Sequence, residues 1–537
     1  MSGTLYWHGS DVPRFDSAGA REALARLDTA CHIVRDARGT GVVTGGSAAT
    51  SGDLELLASA PPLPPDRLGS PQFRAAHGLR YAYMGGAMAG GIASEEMVVA
   101  LARAGMLGSF GAAGLLPERI EKALQFFVRE IPGLPYACNL IHSPSEEALE
   151  RNAVSLFLRY GVPCVEASAY LDLSPHIVRY RAAGLRPGPD GRVLIGNRVI
   201  AKVSRPELGE RFLRPAPEPI LAKLVEDGSI TAEQAELARR VPVADDLTAE
   251  GDSGGHTDRR PLAALLSTLL RVREQVSRDY GYPDAPRIGA AGGIGTPEAA
   301  AAAFAMGAAY IVTGSVNQAC VESGTSPAVR GLLARADIAD CQMAPAADMF
   351  EMGVELQVLK RGTMFGMRAK RLYELYRTYD GLHALPDAER EKLERQVFRR
   401  PLADVWAETR DYFNRRDPAQ VERAEQNPKR QMALVFRWYL GMSSRWAKVG
   451  EADRLADYQI WCGPAIGAFN DWTRGSYLAA PENRGVVDVA GQLLTGAAFH
   501  LRVAQLRAAG ADFVAGATDY RPALAQGEQA PDLALLR

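Results

Sequence analysis

The feature of this sequence that most constrains its fold is a regular alternation of short apolar runs with amphipathic helical stretches, which begins near residue 80. The apolar runs are Tyr81–Met84, Leu107–Phe110, Tyr136–Ile141, Pro163–Ala167, Val199–Val203, Asp246–Glu250, Arg287–Ala291 and Tyr310–Thr313. The helical stretches between them include Ser94–Ala104, Pro117–Glu130, Ser145–Tyr160, Pro261–Tyr280 and Pro297–Met306. Such alternation is typical of a parallel sheet with crossover helices, and eight repeats are enough to close a barrel. We therefore predict an α/β fold, a (β/α)8 TIM barrel over residues 71–330, with a doubly wound open sheet as the alternative.

The N-terminal residues 1–70 do not share this alternation. Residues 32–35 and 41–44 have the pattern of a hairpin, and the run Pro61–Pro65 is a stiff connector of the kind that separates structural units. We predict a small N-terminal cap, whose role the sequence leaves open.

Two helical segments complete the organisation. Residues 204–243 contain more helical sequence than one crossover needs, and Thr231–Gln234 has the spacing of a capping box, so we predict a helical insertion in the barrel. Residues 331–537 lack the strand rhythm and are mainly helical in pattern, most clearly over 350–379 and 431–446. We predict a second, mainly helical region there.

Composition excludes several classes of function. The formal net charge of −2 is unlike the strong basic excess of chains that coat nucleic acid. The six cysteines have no CxxC pair and no metal-ligand spacing, which favours reduced thiols and no metal site. No signal peptide is recognisable, and the most apolar stretch, residues 97–116, is interrupted by Arg103. We expect a cytoplasmic protein without membrane or nucleic-acid partners.

Glycine-rich turns follow the last two candidate strands. Gly292 and Gly293 follow the seventh strand and precede a helix that opens at Thr296, and Gly314 and Ser315 follow the eighth. Glycines let the backbone approach a phosphate closely, and barrels often bind phosphate in the loops after strands seven and eight. We predict a phosphate-binding cradle; ordinary turn chemistry is the alternative.

A histidine loop follows the sixth candidate strand. Gly254 and Gly255 permit close approach to a planar ring, and His256 could act as an acid or a donor near neutral pH. The alternative is a loop histidine whose partner is Asp252 or Asp258.

Two further features lie at the same end of the predicted barrel. The small residues of Gly85–Ile92 follow the first strand and would let the main chain and Met88 contact a flat ligand, although a tightly packed turn would have the same sequence. Lys202 lies between Ala201 and Val203 in an apolar strand and must find a counter-charge, unless it is a surface lysine.

Taken together, these motifs resemble a known family. Ala87–Ser94, Ser253–His256, Ala291–Ile294 and Gly314-Ser315 occur in the order seen in nitronate monooxygenases and flavin-dependent bacterial enoyl-carrier-protein reductases. A closer resemblance is to the trans-acting enoyl reductases of polyketide synthases and the related subunit of polyunsaturated fatty acid synthases. That branch shares residues 200–206, 244–248, 252–258 and 353–362, and the resemblance covers about residues 70–500.

The resemblance implies an FMN-binding barrel that uses NADPH. It implies that Ala87, Met88, Ala89, Asn139, Gly254 and Gly255 lie near the flavin ring, and that Gly292, Gly293, Gly314 and Ser315 hold its phosphate. Lys202 would stabilise negative charge on the flavin. His256 is our first candidate for the acid and His142 the second, with a packed loop histidine as the alternative for His142. Simpler relatives commonly have proline at Ala87, so we expect a less constrained loop here.

The resemblance also implies a carrier-bound substrate, an enoyl thioester on an acyl carrier protein. Acyl carrier proteins have an acidic surface, and the second region contains the basic cluster Lys360, Arg361, Arg368, Lys370, Arg371 and Arg377. This cluster could steer the carrier, or it could be a solvated face paired with Glu355, Glu374 and Asp380. The oligomeric state stays open, with a homodimer as one candidate assembly. The rival functions are a nitronate monooxygenase and a non-catalytic flavoprotein scaffold of a synthase.

Overall fold

The computed structural model describes residues 4–142 and 147–523, and its first unit is a five-stranded antiparallel sheet. Its strands are β1 Tyr6–His8, β2 Cys31–Asp36, β3 Gly39–Thr44, β4 Ser47–Ala49 and β5 Glu55–Ala60, and helix α1 spans Ser17–Ala25. The strand order in the sheet is β3-β2-β5-β1-β4. The predicted hairpin is confirmed, since His32 pairs with Val43 and Val34 with Gly41 across β2 and β3. The other three strands and α1 were not predicted.

All eight predicted apolar runs form strands of one closed parallel barrel, so the predicted TIM barrel is confirmed. The barrel strands are β6 Tyr83–Gly85, β7 Leu107–Phe110, β8 Ala137–Ile141, β9 Cys164–Ser168, β12 Arg198–Val203, β13 Asp246–Glu250, β14 Arg287–Ala291 and β15 Ile311–Thr313. A small hairpin of β10 Leu185–Pro187 and β11 Val193–Ile195 lies between the fourth and fifth of them. The strands are almost wholly buried because helices cover the barrel on its outer face.

The barrel's helices include the five amphipathic stretches predicted between the strands. They are α2 Pro71–His77, α3 Glu95–Arg103, α4 Pro117–Glu130, α5 Glu147–Arg159, α6 Pro175–Ala183, α7 Pro206–Leu213, α8 Glu218–Glu226, α9 Ala232–Ala238, α10 Leu262–Tyr280, α11 Pro297–Ala305, α12 Ser315–Gln318 and α13 Pro327–Leu333. The predicted start of α5 at Ser145 lies outside the described residues. The capping box at Thr231 and Gln234 is present and opens α9. Within residues 204–243, α7 packs against α10 as a crossover helix, so α8 and α9 are the added elements.

The second region is mainly helical, as predicted. Its helices are α14 Phe365–Thr378, α15 Asp387–Lys392, α16 Leu402–Arg416, α17 Pro418–Glu425, α18 Pro428–Val449, α19 Ala465–Trp472 and α20 Val486–Ala508. The continuous helical pattern predicted over 350–379 is wrong in its first part. There the chain forms strand β17 Glu355–Leu359, which pairs as an antiparallel hairpin with the preceding strand β16 Cys341–Pro345. A buried apolar run of four or five residues fits a strand or a helix equally well by periodicity, so periodicity does not distinguish the two here.

A buried arginine joins the last helix to the N-terminal sheet unit. The Arg502 guanidinium on α20 donates to the carbonyl oxygens of Leu24, Arg26, Leu27 and Thr29, all within 3.2 Å. The last helix therefore packs against the N-terminal sheet unit, and it also contacts the barrel helices α11 and α3. Among residues 4–142 and 147–523, no helix combines the length and apolar character needed to cross a bilayer.

Candidate active site

A cavity of about 360 Å³ lies at the carboxyl end of the barrel strands, the end where barrel enzymes carry their active sites. Its lining includes the predicted residues Ala87, Met88, Ala89, Asn139, Lys202, Gly254, Gly255, His256, Gly292, Gly293, Gly314 and Ser315. The second region contributes Asp348, Trp461, Gly463 and Ala465. One cavity thus collects residues from several barrel loops and from the region that follows the barrel.

The turn after the seventh strand has a backbone that only glycine adopts without strain. Gly292 and Gly293 have φ values of +82° and +74°. A Cβ atom on Gly292 would lie 2.7 Å from the carbonyl carbon of Gly251, whereas one on Gly293 would meet nothing within 4 Å. The turn is therefore packed tightly on one side and open to the cavity on the other, as close approach of a phosphate requires.

The second region closes the cradle from above. The amide of Gly463 donates to Ser315 Oγ at 2.9 Å, so the Ser315 hydroxyl keeps its own hydrogen for a ligand. A Cβ atom on Gly254 would lie 2.7 Å from Cys462 Cα, which shows how closely this segment crosses the glycine loop. No sequence pattern around Gly463 predicts that this segment contacts the barrel.

Lys202 lies in a cluster of opposite charges. Its Nζ donates to Glu250 Oε1 at 2.8 Å, and Ser253 Oγ donates to the same oxygen at 3.0 Å. Burial alone would lower the pKa of Lys202, but the charges of Glu250 and Glu166 raise it above its usual value. The expectation that this lysine needs a counter-charge is confirmed, and the side chain stays a cation at the wall of the cavity.

The loop after the first strand is tied to the same cluster. Glu166, which is 1% exposed, accepts a hydrogen bond from the Ala87 amide at 2.8 Å. Proline has no amide hydrogen, so this bond could not form if residue 87 were proline. The loop that we expected to be less constrained is therefore held by a buried carboxylate in place of the proline ring.

Asn139 lies beside Glu166 on the neighbouring strand. Its side-chain nitrogen donates to the Glu166 carbonyl at 3.1 Å and to Ser168 Oγ at 2.9 Å. The nitrogen is thus bound within the barrel, which leaves the Asn139 carbonyl oxygen as the group that can accept from a ligand.

The partner of His256 comes from the second region. His256 Nε2 lies 3.2 Å from Asp348 Oδ1, and both side chains line the cavity. The alternative partners, Asp252 and Asp258, are bound elsewhere: Asp252 accepts from Gln357, and Asp258 accepts from Arg205 and Ser204. Burial lowers the pKa of His256, but the hydrogen bond and charge of Asp348 outweigh it and raise that pKa above its usual value.

The unpredicted hairpin holds the histidine loop. Gly255 and Gln357 exchange two backbone hydrogen bonds of 3.0 and 2.7 Å, so β17 extends onto the loop like an added strand. The Gln357 side chain donates to Asp252 Oδ1 and to the Ser253 carbonyl, each at 2.7 Å. The position of His256 therefore depends on the second region.

His142, the second candidate acid, is not among the described side chains that line the cavity. Its Nδ1 lies 2.8 Å from Glu150 Oε2, and its ring stacks on Tyr170 at 5.1 Å between centroids. Tyr170 and Ser174 donate to the other oxygen of Glu150. This arrangement is that of a packed histidine beside the site.

Comparison with known proteins places the chain in a family. A family model for the N-terminal domain of the fatty acid synthase protein PfaD matches residues 7–62, and a model for the inserted helical domain of acyl-carrier-protein S-malonyltransferase matches residues 379–458. A crystal structure of the enoyl reductase domain of MlnA, from the macrolactin biosynthesis cluster of Bacillus amyloliquefaciens, is 38% identical with a TM-score of 0.78. That match covers 82% of this chain and 99% of the MlnA domain.

The chain belongs to the family of enoyl reductase domains of polyketide and polyunsaturated fatty acid synthases. One component of the polyunsaturated fatty acid synthase of Thraustochytrium sp. is 53% identical over 82% of this chain and 30% of its own length. Polyketide biosynthesis protein PksE of Bacillus subtilis is 46% identical over 80% of this chain and 56% of its own length. The chain therefore spans less than two thirds of these two relatives.

The basic cluster of this family member is only partly available to a partner. The Arg368 side chain forms an ion pair with the buried Asp457, which also accepts from the Tyr439 hydroxyl at 2.7 Å. Arg361 pairs with Asp340, and Arg371 pairs with Glu374 and Glu389. The exposed residues of the cluster for which we describe no ion pair are Lys360, Lys370 and Arg377. Arg368 is thus held by a buried carboxylate, unlike the solvated face that was one of the two alternatives for this cluster.

Proposed function

We propose that this protein is an FMN-dependent enoyl reductase that uses NADPH to reduce the α,β double bond of enoyl thioesters on an acyl carrier protein, acting in trans within a polyketide or polyunsaturated fatty acid synthase. The observation that carries the proposal is one cavity that combines an open glycine cradle, a half-buried cation and an acid–carboxylate pair. The family assignment supports the same reaction class.

The residues present fit FMN. Gly293 and Gly314, where an added Cβ atom would meet nothing within 4 Å, would hold the phosphate together with the Ser315 hydroxyl, which keeps its own hydrogen. Ala87, Met88, Ala89, Gly254 and Gly255 would contact the ring, and Asn139 and Lys202 would bind its polar edge. When bound, FMN would supply hydride for the β-carbon of the substrate, with NADPH as the source of reducing equivalents.

The chain's own residues would handle charge and protons. Lys202 remains a cation between Glu250 and Glu166, so it would stabilise negative charge that develops in the cavity. His256 would donate a proton to the α-carbon, and its raised pKa keeps it protonated to a higher pH than a free histidine. The covering segment around Trp461 and Gly463 would limit water at the reacting atoms.

Docking of the acidic carrier would use Lys370 and Arg377, which are exposed on α14. Reversing both charges to glutamate should raise the KM for a carrier-bound substrate several-fold and leave a small thioester mimic unchanged. Lys223→Glu reverses one exposed charge on α8 and should change the KM for neither substrate. Equal effects on both substrates would contradict docking at α14.

Anaerobic mixing of the flavin-loaded protein with NADPH separates the reductase from its rivals. Rapid bleaching of the visible flavin band is the result that we expect. A band that persists, together with nitronate-dependent oxygen uptake, would instead indicate a nitronate monooxygenase. If the flavin band does not bleach and no nitronate-dependent oxygen uptake occurs, the protein would be a non-catalytic scaffold.

A further inference from the structure

The acid of the proposed reaction is assembled from both regions of the chain. We propose that Asp348, in the loop between β16 and β17, is the positioning residue that orients the imidazole of His256 toward the cavity. This inference rests on the proposed function for its chemistry, but the contact itself belongs to the described structure.

The bond selects which ring nitrogen faces the substrate. Asp348 Oδ1 lies 3.2 Å from His256 Nε2, so the carboxylate holds the Nε2 hydrogen and leaves Nδ1 as the nitrogen available to a ligand. A carboxylate that fixes one imidazole nitrogen sets both the tautomer and the direction of the ring, as it does in other acid–base sites. Without Asp348, the ring would be free to rotate about its side-chain bonds.

The hairpin gives this bond a rigid base. The two backbone hydrogen bonds between Gly255 and Gln357 join the residue before His256 to the strand that follows Asp348. The Gln357 side chain adds two bonds of 2.7 Å, to Asp252 and to Ser253. Donor and carboxylate are therefore held in one hydrogen-bonded unit, although 92 residues separate them in the chain.

The charged groups that face His256 come from three elements. Asp348 approaches from the hairpin loop, Glu250 from the end of β13 and Lys202 from the end of β12. The two carboxylates favour the imidazolium and the lysine opposes it. Of these three groups, Asp348 is the one within hydrogen-bond distance of His256, so its removal should change the pKa of His256 the most.

The proton passes from His256 to the α-carbon of the substrate. Hydride addition at the β-carbon leaves an electron pair on the enolate, and this pair forms the new C–H bond at the α-carbon as the Nδ1–H bond of His256 breaks. The neutral imidazole keeps its Nε2 hydrogen on Asp348. The His256 side chain is 32% exposed, so water can return the proton before the next turnover.

The test combines direct titration with kinetics. Histidine-selective NMR of the full chain gives the pKa of His256, with His256→Asn used to assign its signal among the eight histidines. In Asp348→Asn we expect that pKa to fall and the basic limb of the kcat profile to move to lower pH. We also expect kcat to fall by about tenfold or more with KM little changed, since a positioned acid contributes roughly 10²–10⁴-fold. Asp348→Glu should restore part of the loss in kcat and part of the fall in the pKa of His256.

Asp258→Asn is the matched control. It removes a carboxylate two residues from His256 that is bound to Arg205 and Ser204 instead. Equal effects of the two variants on the pKa of His256, or no effect of Asp348→Asn, would overturn the inference. If the wild-type protein reduces no enoyl thioester, the proposed function fails while the NMR result still decides whether Asp348 holds His256.

Discussion

The two ends of the barrel both carry buried charges, and they differ in what surrounds those charges. At the amino end, Asp246 accepts from His77 Nε2 at 2.8 Å and from Arg287 at 2.5 and 2.9 Å, and the Asp246 side chain is fully buried. At the carboxyl end, Lys202 and Glu250 form one bond of 2.8 Å, their side chains are 20% and 12% exposed, and both line the cavity. The amino end is a closed network, whereas the carboxyl end keeps charge within reach of a ligand.

This difference separates stability from chemistry within one fold. Asp246 and Glu250 are the first and last residues of the same strand, β13. A substitution at the amino end should therefore affect mainly stability, and a substitution at the carboxyl end should affect mainly the reaction.

The largest effect should come from Asp246→Asn. The neutral amide would leave Arg287 without its counter-charge in a buried site, and breaking such a pair costs about 3–5 kcal/mol. We expect that loss in the free energy of urea unfolding, with the flavin-binding affinity of the folded fraction unchanged. A variant as stable as the wild type would contradict a stabilising role for the amino-end network.

Lys202→Met should give the opposite pattern. Loss of the cation should lower kcat about 10²-fold, the scale expected when one charge-stabilising group is removed. Solvent in the cavity can reach the freed carboxylate, so the unfolding free energy should fall by only about 1–2 kcal/mol. Steady-state kinetics and urea unfolding on the same preparation check both effects. Lys202→Arg keeps the charge, so its kcat should lie between those of the wild type and Lys202→Met. Full activity in Lys202→Met would exclude an electrostatic role.

The pH dependence of stability should distinguish the two ends as well. Burial opposes ionisation of Asp246, but Arg287 and His77 outweigh it and lower its pKa to about 2. In the unfolded chain the pKa of this aspartate is about 3.9. Asp246 therefore stabilises the fold above about pH 4 and loses this contribution as the pH falls toward 2. The contribution is about 2–3 kcal/mol. The unfolding free energies of the wild type and of Asp246→Asn should approach each other as the pH falls through this window. A constant difference between them would contradict a stabilising role for the Asp246 charge.

The smallest effect should come from Ala87→Pro. The substitution removes the amide that Glu166 accepts, so the carboxylate loses a partner at a cost of about 1–3 kcal/mol. We expect roughly tenfold weaker flavin binding in a fluorescence titration. Ala87→Ser retains the amide and should bind flavin like the wild type. Equal weakening in both would show that side-chain size, and not the hydrogen bond, matters at this position.

The sequence predicted the barrel because each strand and helix has its own local period, and it predicted the glycine cradle because the turns follow their strands directly. Glu166 in Pro163–Ala167 is, like Lys202, a charge inside an apolar strand, and its sequence surroundings indicate a buried partner just as strongly. Asp348 and Gln357 could not be found this way. Their contacts with the histidine loop span 92 and 105 residues, and no local pattern records such a contact.

The carboxyl end of the barrel is tested most directly by the second half of the proposed reaction. The flavin-loaded protein is first bleached with one equivalent of NADPH without oxygen, and an enoyl thioester on its carrier protein is then added. We predict that the visible flavin band returns at once and that one saturated thioester forms for each flavin. A band that stays bleached until oxygen is admitted, with the enoyl thioester unchanged, would contradict the account.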